Sequence, residues 1–432
     1  MHHSKHAILI SLDSSTTEIE KLAQTLGYTL LHTFIQRRDT PDVNYFVGSG
    51  KLDEIAEYVS SSKTTVDLVI INGELKPSQW FMLEKKLSVD VYDRIRLILE
   101  IFKEHAKRKE ARLQVKLAQL HYERPYVREL IHRARSGEHP GLMAGGEYQV
   151  DDYYEMIKKQ MKKIRSDLDK IRKDREVHRK TRYKSGCYLV SLAGYTNAGK
   201  SSLLNLLSDE SVTVEGKLFS TLSTTTRRIP QRTKGNSLPI LLTDTVGFIE
   251  NLPSWVVDAF HSTLEEIEVA DVVVLVVDGS EHQDIVKKKL QVSLDELLAL
   301  GVTASVIIAI NKIDIIDQEK LDSLLSYLTS HHLLTGKECV PISVEKKINI
   351  ERFLQILNNN LPNLVKLILQ VPANKESQNF ISQLYNLCRV LTITYDKKIT
   401  IEIECNSKIQ EKIIATMKNL HGVILNKKTK YL

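Results

Sequence analysis

Eight consecutive residues, Gly194, Tyr195, Thr196, Asn197, Ala198, Gly199, Lys200 and Ser201, have the spacing G-x-x-x-x-G-K-[ST]. They follow the apolar run Tyr188–Ala193 and open the helical pattern Ser202–Leu207, so a loop between a strand and a helix is expected here. Glycines let such a loop wrap a phosphate with backbone N–H groups, and the start of the helix adds a favourable potential for an anion. Lys200 would reach the β- and γ-phosphates of a nucleotide, and the Ser201 hydroxyl would ligate Mg²⁺. The chemistry this implies is nucleotide binding with phosphoryl transfer, and it makes Lys200 a candidate catalytic residue.

Two further loops narrow the ligand. Asp244, Thr245, Val246 and Gly247 follow the apolar run Ile240–Thr243. A carboxylate at a strand end can hold Mg²⁺ through water, and Gly247 lets a backbone N–H approach a γ-phosphate. Asp-x-x-Gly is common by itself, and its order after the phosphate loop gives it weight. Asn311, Lys312, Ile313 and Asp314 follow Val306–Ile310. A carboxylate such as Asp314 accepts hydrogen bonds from N1–H and the exocyclic amine of guanine, whereas adenine has an acceptor at N1 and no amine at C2. An unpaired buried group costs about 1–3 kcal/mol, and sites of this kind discriminate strongly. The tetrad therefore implies GTP and GDP. Ser343, Val344 and Glu345 stand where a backbone N–H to the guanine oxygen is expected.

Between the first two motifs lies the polar, threonine-rich stretch Leu218–Arg228. Phe219, Ser220, Thr221, Leu222 and Ser223 read as a loop that orders when a threonine ligates Mg²⁺ beside the γ-phosphate and relaxes once that phosphate leaves. Thr221 is the first choice, joining Ser201 and Asp244 as a metal ligand, and Thr225 is the alternative. Phe248 stands directly after Gly247, where many GTPases carry a glutamine that positions the attacking water. A phenyl ring makes no such hydrogen bond. Unaided rates are of the order of 10⁻⁴ s⁻¹ even with the glutamine, and an external group adds about 10⁵-fold, so slow hydrolysis awaiting a partner is expected. Arg227 or Arg228 could serve as an arginine finger in cis, with an RNA or surface contact the favoured role.

These loops need elements to hold them, and the chain has the material. It has 432 residues, 42% hydrophobic and 26% charged, which suggests two to four globular domains and excludes a disordered chain, a fibre or a small disulfide scaffold. The longest apolar runs, such as Val272–Val277, are of strand length, too short to span a membrane, and Ala7–Leu12 is too short for a secretory signal. Four dispersed cysteines (Cys187, Cys339, Cys388, Cys405) read as reduced thiols of a cytoplasmic protein rather than zinc ligands or disulfides.

The fold class expected is α/β: a P-loop domain with a parallel sheet, preceded by a small α/β domain and a long antiparallel helical hairpin, and followed by a small α+β domain. Residues 1–92 alternate strands (Ala7–Leu12, Tyr28–Phe34, Val66–Ile71) with helical patterns such as Lys51–Val59. Residues 93–185 read as two long helices, the first over Asp93–Arg135 and the second with Ile157, Met161, Ile164, Leu168 and Ile171 on a heptad seam, joined by a Gly-rich tip at 137–151. Residues 186–361 alternate β-branched apolar strands with helices, as in a sheet buried on both faces. Residues 362–432 give a strand at Val365–Val371, a helix around Glu376–Leu391, strands Val390–Tyr395 and Thr400–Cys405, and a helix Lys408–Leu420.

The net charge is +6, yet Lys158–Lys184 holds 13 Lys/Arg against four Asp/Glu. That local excess of +9 is too large for mutual i,i+4 pairing. It is either a solvated coiled-coil flank or a contact for phosphate backbones, which makes RNA a candidate partner.

The motifs at 194–201, Leu218–Leu222 and Asp244–Ile249 resemble those of the HflX family, ribosome-associated GTPases of the Obg–HflX group. So do Arg38–Asp42 with Gly48–Lys51, and Leu113–Leu120, so the resemblance spans nearly the whole chain. It implies the four-part architecture above, binding to the large ribosomal subunit and its rRNA, and, in several members, GTP-dependent splitting or rescue of ribosomes. The tip departs from the family pattern Gly-Pro-Gly-Glu-Thr-Gln-Leu-Glu: here residues 144–151 read Ala-Gly-Gly-Glu-Tyr-Gln-Val-Asp. Tyr148 replaces threonine, and Tyr153 and Tyr154 replace basic residues. The reading that follows is a cytoplasmic, monomeric GTPase switch acting on ribosomes. Its rivals are a non-catalytic anti-association factor that uses GTP only to set its shape, and an ATP-driven RNA remodeller, against which Asp314 argues.

Overall fold

The computed structural model describes residues 5–135, 147–184, 187–208, 225–229, 240–249, 253, 255–256 and 264–430. Most of the expected tip, and the stretch 218–224 with Phe219, Ser220, Thr221, Leu222 and Ser223, lie outside them. By contact density the chain divides into two units, with the boundary along α6 (Glu147–Lys184) between Ile171 and Arg172.

The first unit opens with a parallel four-stranded sheet of β1 (Lys5–Ser11), β2 (Tyr28–Ile35), β3 (Leu68–Ile71) and β4 (Val91–Asp93), in the order β2-β1-β3-β4. Helices α1 (Thr17–Thr25), α2 (Ser49–Ser61) and α3 (Pro77–Leu87) connect the strands. Ile8, Ile10, Leu52, Ile55, Val69 and Ile71 fill the core. The three expected strands are present with ends shifted by one or two residues. β4 is an addition.

The single helix expected over Asp93–Arg135 is two. α4 (Arg94–His105) is capped by Asp93, whose carboxylate accepts from Arg96 N–H at 2.8 Å. It buries Ile95, Leu97, Ile98, Leu99, Ile101 and Phe102 beside α1, β3 and β4. The chain leaves helical geometry at Ala106, where ψ is 87°, and the Arg112 Nε–H takes its carbonyl at 3.1 Å. The packing of α4 on the sheet thus ends one helix before α5 (Lys109–Arg135) begins. α5 and α6 pair through Leu120, Val127 and Ile131 against Ile157, Met161 and Ile164, flanked by Leu168, as the heptad spacing predicts. Tyr126 on α5 donates to the Leu75 carbonyl at 3.1 Å, tying the arm to the sheet domain.

The second unit holds a six-stranded sheet in the order β10-β9-β8-β5-β7-β6. Its strands are β5 (Tyr188–Ala193), β6 (Thr225–Ile229), β7 (Ile240–Asp244), β8 (Val272–Asp278), β9 (Ser305–Asn311) and β10 (Glu338–Pro341). All pairs are parallel except β6 with β7. Helices α7 (Lys200–Leu207), α8 (Gln283–Ala299), α9 (Gln318–Ser330) and α10 (Ile350–Asn360) complete the layers. Residues 225–229, read from sequence as loop, form the antiparallel edge strand, with Thr225 opposite Asp244.

The tail is a βαββαβ unit: β11 (Leu364–Pro372), α11 (Lys375–Leu387), β12 (Arg389–Tyr395), β13 (Lys398–Asn406), α12 (Ser407–Asn419) and β14 (Val423–Lys430), with sheet order β12-β13-β11-β14. α11 ends four residues short of the expected Leu391, and β14 was not expected. Leu361 and Leu364 lie in the same core as Tyr188 and Phe353, and the Tyr188 hydroxyl donates to the Pro362 carbonyl at 2.9 Å. Among the described residues no helix is long and apolar enough to cross a membrane.

Candidate nucleotide site

The phosphate loop runs from the buried end of β5 into α7. Gly194 sits at φ +132°, and a Cβ there would collide with the Val276 carbonyl oxygen on β8, so only glycine turns the chain at this point. Lys200, the first residue of α7, is buried, and its Nζ donates to the carbonyls of Gly194 at 2.9 Å and Tyr195 at 2.7 Å. Burial pushes its amine down to about 8, with the nearby Asp244 charge acting the other way. An ammonium has three donors, so two bonds brace the loop while a third direction is left for a phosphate oxygen.

Asp244 ends β7 directly beside the loop, and the Ser201 hydroxyl donates to its Oδ2 at 2.6 Å. The two residues expected at Mg²⁺ are thus in contact. One hydroxyl and one carboxylate, with phosphate and water oxygens to complete an octahedron, fit the way Mg²⁺ is held in nucleotide sites. Among the described residues no group of three or more His, Cys, Asp or Glu is placed to hold a metal by itself. Thr245 turns inward, its hydroxyl donating to the Leu192 carbonyl at 2.7 Å, which gives it a structural role in joining β7 to β5.

The loop after β7 is stitched to the phosphate loop. Thr196 N–H donates to the Phe248 carbonyl at 3.1 Å, and Phe248 N–H donates to the Gly194 carbonyl at 3.0 Å, forming a parallel bridge between Tyr195 and Phe248. Gly247 is pressed so close that a Cβ would lie 2.8 Å from both Lys200 Nζ and Thr196 N. The Phe248 ring is buried at 8% exposure, which fits its inability to orient a water.

The guanine loops are braced by Asn311. Its Nδ2 donates to the Ala198 carbonyl at 2.9 Å, and its Oδ1 accepts from Val344 N–H at 3.1 Å. Asn311 thereby joins the phosphate loop to the last loop, and it engages the amide of Val344, one of the residues expected to offer a backbone N–H to the guanine oxygen. Ser343 likewise has a local role, pairing with Ile348 and accepting from Lys346 N–H at 3.0 Å. Ile313 and Asp314 lie in a single 3₁₀ turn after β9. Lys312, at φ +67°, is anchored by its Nζ to the Asp278 carboxylate, which holds its side chain in place beside the loop. Asp278, at the end of β8, was missed in the sequence. Its signal was the one that marked Asp244, an acid closing an apolar strand.

Thr225 lies in β6, and Arg227 on the same strand donates to the Ser208 hydroxyl at 3.2 Å, at the end of α7. That bond favours a structural role for Arg227 over an arginine finger.

Three family models match the chain in succession: GTP-binding GTPase N-terminal over residues 13–103, GTP-binding GTPase Middle Region over 105–182, and 50S ribosome-binding GTPase over 189–312. GTPase HflX of Thermococcus kodakarensis is 41% identical over 395 residues, covering 90% of this chain and 88% of that protein. GTPase HflX of Methanocaldococcus jannaschii is 40% identical over 341 residues, covering 78% and 82%. The crystal structure of SsGBP in complex with GDP superposes with a TM-score of 0.50 at 27% identity, covering 82% of this chain and 97% of that one. With the described nucleotide loops at strand ends and this likeness along its length, the chain belongs to the HflX family of GTPases and is a GTP-binding, GTP-hydrolysing enzyme.

Proposed function

We propose that this GTPase acts on the large ribosomal subunit, in the cytoplasm and as a monomer, hydrolysing GTP slowly alone and faster when docked. The observation that carries the reading is the charge on α6. Lys158–Lys184 has 13 basic residues against four acidic ones, and Lys159, Lys162, Lys163 and Arg165 are exposed, which suits rRNA phosphates. The description of the matched family, a 50S ribosome-binding GTPase, supports the same partner. Splitting or rescue of ribosomes would then be the work of the hairpin, with a tip whose sequence differs from the usual one. The four parts at 1–92, 93–185, 186–361 and 362–432 serve as the working division, with α4 packed on the first.

In the nucleotide site, Ser201, Asp244 and Thr221 would hold Mg²⁺, which would offset charge on the β- and γ-phosphates. Lys200 grips the same phosphates, Gly247 offers its N–H to the γ-phosphate, and Asp314 selects guanine. Phe248 offers the attacking water no side-chain hydrogen bond, and a docked partner supplies that geometry.

The test is co-sedimentation with large subunits in GDP, GTP and a non-hydrolysable analogue while phosphate release is followed. Binding that weakens with salt, depends on nucleotide and raises turnover is expected. Turnover that is fast in isolation and unchanged by large subunits would refute the proposal. Binding that needs GTP, with release independent of hydrolysis, would favour the anti-association reading. Reversing Lys158, Lys159, Lys162 and Lys163 to glutamate should abolish the salt-sensitive component.

A further inference from the structure

The phosphate loop turns on three residues with positive φ: Gly194 at +132°, Asn197 at +64° and Gly199 at +99°. Two of them are glycines, whose backbone is conformationally free, so the shape of the loop has to come from what its other groups touch. The one large side chain between those glycines is Tyr195, buried at 7% exposure. Its backbone is already committed on two sides. The carbonyl accepts from Lys200 Nζ at 2.7 Å, and the residue pairs with Phe248 in the bridge to the loop after β7.

The Tyr195 ring meets a charge that the nucleotide chemistry has not used. Lys289, on the second turn of α8, places its Nζ over that ring, 5.4 Å from the centroid. At this distance an ammonium is attracted by the face of an aromatic ring. Both oxygens of the Glu281 carboxylate accept from the same ammonium at 2.6 Å. The side chains of the pair are only 26% and 23% exposed, so salt screens them less than it does a surface pair. Glu281 stands in the turn between β8 and α8, three residues after Asp278, whose carboxylate anchors Lys312. One turn therefore carries two acids, the first holding a lysine of the base loop and the second a lysine that covers the phosphate loop.

We propose that Lys289, held by Glu281, is a positioning residue for GTP hydrolysis. Its ammonium fixes the Tyr195 ring, the ring fixes the Tyr195 carbonyl, and the carbonyl sets where Lys200 Nζ meets the phosphates. Charge on those phosphates redistributes in the transition state, and a donor favours that change only if it is already in place. A misplaced Lys200 therefore costs rate more than it costs ground-state binding. The inference rests on Lys200 contacting the phosphates, and it needs no ribosome.

The test uses the full-length protein in excess over GTP with Mg²⁺. Single-turnover hydrolysis is read as a maximal rate and a half-saturating protein concentration. Lys289→Met should lower the maximal rate roughly 3- to 30-fold, the range of an aromatic contact with a partly desolvated cation, while half-saturation moves less than about twofold. Lys289→Arg, which keeps a cation at the ring, should recover most of the loss. In a Tyr195→Leu background, Lys289→Met should add little, because the contact it removes is already gone. A maximal rate unchanged by Lys289→Met, or losses that multiply in the double variant, overturns the proposal. So does a loss confined to half-saturation. Lys200→Met separates the two layers of the argument. If that variant hydrolyses GTP like the parent, the assignment of Lys200 fails and the proposal with it; a loss there, with Lys289→Met unchanged, overturns the proposal alone. Should Tyr195→Leu fail to fold by circular dichroism, Glu281→Gln takes its place, since it leaves the loop intact. It should lower the maximal rate without moving half-saturation, and an unchanged rate overturns the proposal.

Discussion

The Thr196 amide donates to the Phe248 carbonyl at 3.1 Å, so the Gly194–Ser201 loop and the loop that follows β7 are joined by one hydrogen-bonded bridge. Gly247 sits inside that bridge, a Cβ's breadth from Lys200 Nζ. Gly247→Ala should force the loops apart at a cost of about 1–3 kcal/mol, as overpacking does elsewhere, and leave the protein folded. GDP affinity is expected to stay within a few-fold, while GTP turnover falls at least tenfold. Titration with a fluorescent GDP analogue and phosphate-release assays measure the two. Equal losses in both would show that Gly247 serves the loop's shape rather than the γ-phosphate.

Lys200 is held at about 8, against 10.5 when freely solvated. Between those values the unfolded chain binds more protons than the folded one, so stability rises with pH from about 8 to 10.5, and below 8 the buried charge opposes folding. Phosphates arriving at the loop restore the charge, so nucleotide binding at pH 8.5 should take up protons. Calorimetry in two buffers of different ionisation enthalpy detects this, and the uptake should fade at pH 6.5. Lys200→Met should melt no lower than the parent while binding GTP at least tenfold more weakly, the loss of a charge-assisted bond of about 1.5–3 kcal/mol.

Asp314→Asn reverses one donor–acceptor pair at the base. Affinity for GTP should drop roughly 100-fold or more, and xanthosine triphosphate, with a carbonyl where guanine has its amine, should be gained as a ligand. Competition of the two triphosphates against a fluorescent guanine nucleotide checks both directions. Retained preference for guanine would move base selection away from Asp314.

Asp278→Ala should release the Lys312 ammonium from its anchor. Because Asp278 braces only the base side, GDP and GTP should weaken together, by roughly 10- to 100-fold for one lost charged hydrogen bond. Unequal losses, read by the same titrations, would place Lys312 nearer the phosphates than its anchor suggests.

The nucleotide loops were legible because each closes a buried parallel strand, where apolar residues give way abruptly to Gly194, Asp244 or Asn311. Asp278 carries that same signal at the end of β8, but no motif surrounds it to single it out. β6 was illegible for a physical reason: Thr225–Ile229 is an edge strand with only Ile229 buried, so it shows no apolar alternation. β14 hides likewise: its eight residues include three lysines, and it is an outer strand, where charged residues are usual. The break after α4 has neither Gly nor Pro. It follows from Phe102 and its neighbours packing on a sheet, a tertiary cause that periodicity alone does not carry. The engagement of Val344 by Asn311 is of the same sort, a contact between residues 33 apart.

The Tyr188 hydroxyl on the Pro362 carbonyl, with Leu361 and Leu364 in the catalytic domain's own core, makes the C-terminal module a graft rather than an appendage. Shearing the polypeptide at its apparent joint would strip a wall from the GTP-hydrolysing half, uncovering the strand that feeds Gly194. A shortened descendant of this protein could lose its last strands, but it would have to keep the splice itself.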